Sequence, residues 1–222
     1  MKLYKRLCTL TFLILEIILY YVILTSGGDM LIMSCYSSII LCFIYALVML
    51  ADPLMIAALA GTVAADYFLV TFVPSRQLPG MACFLVVQAI YAIFLHRQGF
   101  QKIWLAIRLV PMVLITAITF LVLGKNADAV AILSVLYYVN ILLNMVMAFI
   151  KFRKFPMLAI GFLLFILCDT VIGLQVASGG YLPIKPGSAL YEFLWMPVNL
   201  VWLFYLPSQV LIALSCATQE RK

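Results

Sequence analysis

The stretch PMLAIGFLLFILCDTVIGLQVA, Pro156–Ala177, decides the fold. It is mainly apolar with one charged side chain, Asp169, and as a helix it is long enough to cross a ~30 Å hydrocarbon layer. Lys151, Arg153 and Lys154 precede it, and Gly179 and Gly180 follow it. The same texture extends outward in both directions. Of 222 residues, 67% are apolar and 10% charged, with a mean hydropathy of +1.21. A soluble domain carries roughly a quarter charged residues. No polar stretch exists to clothe a water-facing surface, so lipid must be the solvent.

Eight apolar runs of spanning length follow one another: Leu7–Thr25, Leu31–Leu50, Pro53–Val73, Pro79–His96, Ile103–Leu123, Ala129–Ile150, Pro156–Ala177 and Glu192–Ser215. The connections between them are short, except for Ser178–Tyr191. Consecutive helices are therefore expected to be antiparallel neighbours in one transmembrane domain covering 1–222. The expected architecture is all-α, a polytopic bundle of about eight transmembrane helices in the plasma (cytoplasmic) membrane. Its first run is longer than a signal h-region and contains Glu16, so it reads as a retained helix.

Cytoplasmic loops hold the excess of Lys and Arg. With eight spans, eleven of the 14 basic residues share the side of the two termini, leaving Arg76, Lys125 and Lys185 opposite. Both termini are thus expected inside. The net charge of +6 is a topology signal, and nucleic acid is not an expected partner.

Several chemistries are excluded by residue type. The six cysteines (Cys8, Cys35, Cys42, Cys83, Cys168, Cys216) are scattered through apolar runs without C-x-x-C spacing, and read as small buried hydrophobes. The single histidine, His96, sits at the end of a span. A three-histidine zinc site is therefore impossible, and no serine has an intramembrane histidine to activate it. Phosphate-binding glycine loops are absent.

Ionisable groups deep in hydrocarbon cost roughly 2.5–3.5 kcal/mol each on insertion scales, so each needs a reason. Glu16, Asp66 and Asp169 qualify. Glu16 reads either as a neutral packing carboxyl or as the mate of Arg108. The aspartates share a rule: Pro53 precedes Asp66 by thirteen residues, and Pro156 precedes Asp169 by the same number. Both carboxyls then lie at one depth, ~20 Å from the inner surface. Gln88, Tyr91, Tyr137, Tyr138, Asn140, Asn144, Asn199 and Trp202 gather near that level. Tyr137, Asn140 and Asn144 share one helix face, as do Asn199, Trp202, Tyr205 and Gln209. Asn and Gln in membrane helices commonly serve only to bond helices together. Ala57, Gly61 and Ala65 form a small-residue face suited to close helix approach.

At these residues the chain resembles the YhhN-type, lysoplasmalogenase-like family of small membrane proteins. The resemblance covers about Asp52–Ala217 and is poor in the first two runs. Asp52-Pro53 stands where the family carries Lys-Pro, and Ala65-Asp66 where it carries Gly-Asp. Gln88 and Tyr91 match a His three residues before a Tyr, Tyr138 matches a Tyr, and Cys168-Asp169 matches Ser-Asp. Tyr205-Leu206-Pro207-Ser208-Gln209 matches a closing Tyr-x-Ala-Gln with its apolar tail. Both aspartates and the closing glutamine are present, whereas the family's lysine, histidine and glycine are replaced.

The resemblance implies hydrolysis of the vinyl-ether bond of lysoplasmalogens, with a lysophospholipid as substrate and no metal or cofactor. Protonation of the vinyl β-carbon makes an oxocarbenium ion that water attacks. Two close, desolvated carboxyls cannot both ionise, so Asp66 and Asp169 would share the proton that this needs. Gln88, Tyr91, Tyr138, Asn140, Asn199 and Gln209 would bind substrate or orient the pair, and Arg76 or Lys185 would meet a phosphate arriving from the outer side. Two other classes stand beside this one. A small proton-coupled transporter is suggested by the repeated Pro-to-Asp spacing; a non-catalytic lipid-binding or scaffold member is suggested by the replaced residues. Consumption of a lyso-vinyl-ether lipid in detergent separates an enzyme from both.

Overall fold

The computed structural model describes residues 2–101, 103–124, 127–178 and 184–217, and the described residues form helices without strands. Lys102, Lys125, Arg221 and Lys222, which enter the charge count above, lie outside the described residues. The elements are α1 (Lys2–Thr25), α2 (Gly28–Val48), α3 (Pro53–Val70), α4 (Gln77–His96), α5 (Ile103–Leu123), α6 (Ala129–Ile150), α7 (Pro156–Ser178), α8 (Ala189–Leu194) and α9 (Leu200–Ala217). Seven of them, α1 to α7, are long and apolar enough to cross a membrane. The chain is an all-helical, polytopic membrane protein.

Helix starts follow local chemistry. Asp52 Oδ1 accepts from the Leu54 backbone N–H at 2.8 Å, with Pro53 in the first turn of α3. Asp52, at the family's lysine position, is thus a helix cap. Asp128 caps α6 in the same way, accepting from Ala131 N–H at 2.7 Å. Pro156 opens α7.

The expected last span, Glu192–Ser215, needs correction. It is not one helix: α8 ends at Leu194 and α9 begins at Leu200. Pro197 lies between them; it lacks an N–H and disfavours helical backbone in the residue before it. Asn199 then restarts the helix, its Oδ1 accepting from Trp202 N–H at 3.3 Å. With 18 residues, α9 measures ~27 Å along its axis, just short of the ~30 Å hydrocarbon core.

Six helices close into a ring in the order α2, α3, α4, α6, α7 and α9, the last packing back on α2. Two glycines let neighbours approach. A Cβ on Gly61 would stand 2.7 Å from Val87 Cγ2, and one on Gly161 would stand 2.8 Å from Ile212 Cγ1 and 3.1 Å from the Ser208 carbonyl oxygen. The small-residue face expected on α3 therefore works at Gly61 and the buried Ala65, while Ala57 is exposed. Helices α1 and α5 sit outside the ring, α1 against α2 and α9, α5 against α6. Only 17% and 11% of their apolar spans are buried, against 44% for α4 and α7. In the ring, α3 and α7 are diametrically opposed, two helices apart in either direction. That opposition places the aspartates.

Candidate active site

Asp66, on α3, is 3% exposed. Its Oδ2 accepts the Tyr205 hydroxyl proton at 2.5 Å, a bond that reaches from α9 past α2. Asp169, on the opposed α7, is only half-buried, and its Oδ2 accepts from the Tyr137 hydroxyl of α6 at 2.6 Å. Each tyrosine takes one carboxyl oxygen, Oδ2. Charge-assisted bonds of this length are roughly twice as strong as neutral ones.

An aromatic frame holds both pairs. The Phe165 ring lies 5.2 Å from the Tyr205 ring and 6.2 Å from the Tyr137 ring. Phe84 of α4 stands 5.6 Å from Tyr137 and 5.7 Å from Phe165, and Trp202 packs 5.1 Å from Tyr205. Edge-to-face and tilted contacts of this kind fix ring angles, so the hydroxyls are aimed before any ligand arrives.

Among the described residues, none of the six expected to serve the pair bonds either carboxyl, and Asn199 lies above their layer. Tyr138 shares a 2.8 Å bond with Thr170. Asn140 accepts from Arg108 Nη1 at 2.7 Å and donates to the Leu136 carbonyl at 3.0 Å. Asn199 is the cap of α9 described above. Gln88 is fully buried, its Oε1 accepting from Asn144 Nδ2 at 2.9 Å, while its Nε2 has no partner among the described residues. Gln209 is fully buried too; its Nε2 donates weakly to Ser208 Oγ at 3.4 Å and its Oε1 has no partner among the described residues. The Tyr91 hydroxyl faces Thr62 without reaching hydrogen-bond geometry, its ring 5.1 Å from Phe162. The carboxyls' own partners are Tyr137 and Tyr205. The sequence places both at the right level and face, but rows of tyrosine on membrane helices usually only pack, so nothing local marks them as carboxyl donors.

Of the two readings left open for Glu16, pairing with Arg108 is corrected. Glu16 is buried and accepts from Ser38 Oγ at 2.6 Å and Cys42 Sγ at 3.5 Å, both on α2. Arg108 bonds amide oxygens of α6 instead. The cause is topological, since α1 and α5 pack on different members of the ring. Arg76 stacks over Phe72 at 4.3 Å, and Lys185 is exposed. Among the described residues no three His, Cys, Asp or Glu side chains converge to hold a metal ion.

A crevice of about 370 Å³ opens between α1, α7 and the α8–α9 break, lined by Gln175, Leu194, Trp195, Met196 and Asn199. The aspartates do not line it. Gln175 is six residues beyond Asp169 on α7, ~9 Å along the helix, so the crevice lies above the carboxyl layer.

No curated protein and no solved structure matches the chain. A family model, that of the YhhN family, matches residues 37–216. The match starts at Ser37, within α2, earlier than the resemblance at Asp52 indicates, and it includes both aspartates, both tyrosines and the whole helical ring from mid-α2 to α9. The chain belongs to the YhhN family.

Proposed function

We propose that this protein hydrolyses the vinyl-ether bond of lysoplasmalogen-type lysophospholipids within the plasma membrane. One observation carries the reading: two intramembrane carboxyls project from opposed helices of a closed ring, each clamped on one oxygen by a tyrosine hydroxyl. That arrangement supplies what the reaction needs. The pair holds one proton. Transferring it to the vinyl β-carbon breaks the C=C π bond and leaves an oxocarbenium ion, which the remaining carboxylate stabilises. Water then adds to the carbon bearing the ether oxygen and returns its proton to the pair. The resulting hemiacetal collapses to a fatty aldehyde and a glycerophospho-alcohol. Asp169, the half-buried member, is where an alkenyl chain reaches the pair. The ring supplies apolar walls, and the tyrosines keep one oxygen of each carboxyl occupied so that the other faces the substrate.

The test is aldehyde release from a lyso-vinyl-ether lipid by protein purified in detergent. Asp66→Asn and Asp169→Asn preserve size and still accept the tyrosine bonds, so the fold should hold while turnover drops by at least ~10²-fold. Wild-type protein that leaves the lipid intact, or either variant at full rate, would overturn the reading. A transporter would consume nothing in detergent.

A further inference from the structure

The α4–α5 and α6–α7 connections meet at one end of the bundle, and between them they carry Arg97, Lys151, Arg153 and Lys154. The two connections interlock. Lys154 Nζ donates to Gln98 Oε1 at 2.6 Å, and Lys151 Nζ stands 5.2 Å from the centre of the Phe100 ring. Each connection is also a tight turn. Gly99 takes a φ of 92°, and the Lys151 carbonyl accepts from the backbone N–H of Lys154 at 2.8 Å and of Phe155 at 3.0 Å. The buried Phe155 anchors the second turn on Phe94 at 5.8 Å, and its ring lies 5.0 Å from Lys154 Nζ.

Topology asks for an excess of positive charge on one side of the membrane, and dispersed side chains would satisfy it. Here like charges are gathered against their mutual repulsion. Among the described residues none of the four meets a carboxylate. The described acidic residue at this end is Asp52, whose carboxylate caps α3. The cluster is therefore complementary to an anion. Lys151 and Lys154 are already held by a ring and an amide, so they lose little further freedom when one binds.

The surroundings indicate what carries that anion. Arg97 continues the α4 stripe of Val86 and Ile93, spaced seven and four residues apart on one helix face. Those two side chains are 59% and 49% exposed. Helix α5 packs on α6 and leaves the stripe uncovered, so an acyl chain lying along it ends at the guanidinium. Phe149 and Phe152, stacked at 5.7 Å and both exposed, flank Lys151. Aromatic side chains beside basic ones at a helix end suit the boundary between lipid tails and headgroups.

We propose that this end of the bundle binds an anionic phospholipid. Arg97, Lys151 and Lys154 hold its phosphate, and one acyl chain runs along the α4 stripe. A zwitterionic lipid offers the same phosphate with an ammonium that the cluster repels, so the site selects a headgroup without positive charge. Asp66 stands thirteen residues along α3 from this same end, ~20 Å away along the helix. The bound lipid is thus a companion of the fold, distinct from a substrate at the carboxyls. It bridges the two connections that flank α5, a helix with only 11% of its span buried.

The experiment is native mass spectrometry of the full chain in detergent, titrated with phosphatidylglycerol or with phosphatidylcholine of the same acyl chains. A basic group near an anionic headgroup is worth about 1 kcal/mol, or about fivefold in affinity. Wild-type protein should bind its first phosphatidylglycerol at least about tenfold more tightly than phosphatidylcholine. Lys151→Gln with Lys154→Gln should weaken phosphatidylglycerol about 25-fold and leave phosphatidylcholine nearly unchanged, whereas arginine at both positions should keep the preference. Lys5→Gln with Arg6→Gln removes the same charge at the same end of the bundle and should also keep it. No preference in wild-type protein, or equal loss in the Lys5 and Arg6 pair, overturns the inference. Excess inorganic phosphate should leave the lipid bound; complete displacement would mean a small-anion site without an acyl contact, and overturns it too. Should the Lys151 and Lys154 pair fail to fold, Arg97→Gln alone should lose about fivefold, and an unchanged affinity there refutes the site.

Discussion

Replacing Tyr205 by phenylalanine removes one hydroxyl and little else. The ring keeps its contacts with Phe165 at 5.2 Å and Trp202 at 5.1 Å, so the interior stays filled. The lost atom is the donor of the 2.5 Å bond to Asp66 Oδ2. Hydrogen bonds to charged groups are worth roughly 1.5–3 kcal/mol. In the proposed reaction the pair becomes fully ionised as its proton leaves for carbon, so this bond is strongest in the transition state. The bond is already present in the resting protein, so only its strengthening falls on the rate: at about 1.4 kcal/mol per decade, Tyr205→Phe should slow aldehyde release by up to roughly 150-fold. The assay is turnover by detergent-purified protein, with Tyr138→Phe beside it. The Tyr138 hydroxyl bonds Thr170 and no carboxyl, so its loss should cost far less. Tyr205→Phe at the wild-type rate, with the helical fold intact, would refute the claim that the Asp66–Tyr205 pair takes part in the chemistry.

Other expectations follow from packing and topology. Gly161→Val forces a side chain against Ile212 and the Ser208 carbonyl where α7 meets α9, which should cost about 1–3 kcal/mol and lower the thermal midpoint. Ser38→Ala leaves Glu16 without its 2.6 Å donor; stability should fall by about 1–3 kcal/mol with turnover per folded molecule unchanged, and an altered rate would give Glu16 a catalytic part. Reporter fusions after Lys154 and at the C-terminus should read cytoplasmic and one after Lys185 external. An external C-terminus would mean that α9 does not complete a crossing.

Much of this arrangement is legible from residue order, for specific reasons. Proline at a helix start fixes where counting begins, and a helix advances uniformly, so equal Pro-to-Asp spacings become equal depths. Asp66 and Asp169 are therefore marked in the sequence as candidates for one layer. The order of helices around the ring is another matter, because it depends on which faces interlock. Arg108 and Glu16 look like natural mates by charge, yet one belongs to a helix leaning on α6 and the other to a helix leaning on α2 and α9. Tyr137 and Tyr205 are misjudged for a related reason: a hydroxyl's value depends on what stands opposite, and Tyr205 meets a residue far away in the chain. The break before α9 is marked in the sequence by Pro197, but the apolar residues around it mask the interruption when only hydropathy is followed.

The ring is closed by its final member, and that has a consequence for how the protein is made. During synthesis, helices leave the ribosome from the N-terminal end. Until α9 emerges, the wall between α7 and α2 is open to lipid, and Asp66 lies in a gap with no donor. An unpartnered carboxyl in hydrocarbon marks an incomplete membrane protein. Docking of α9 shuts the wall and delivers the Tyr205 hydroxyl in one event. A chain interrupted before Leu200 would lack both the seal and the clamp, and so would carry the signature that quality control in the membrane removes.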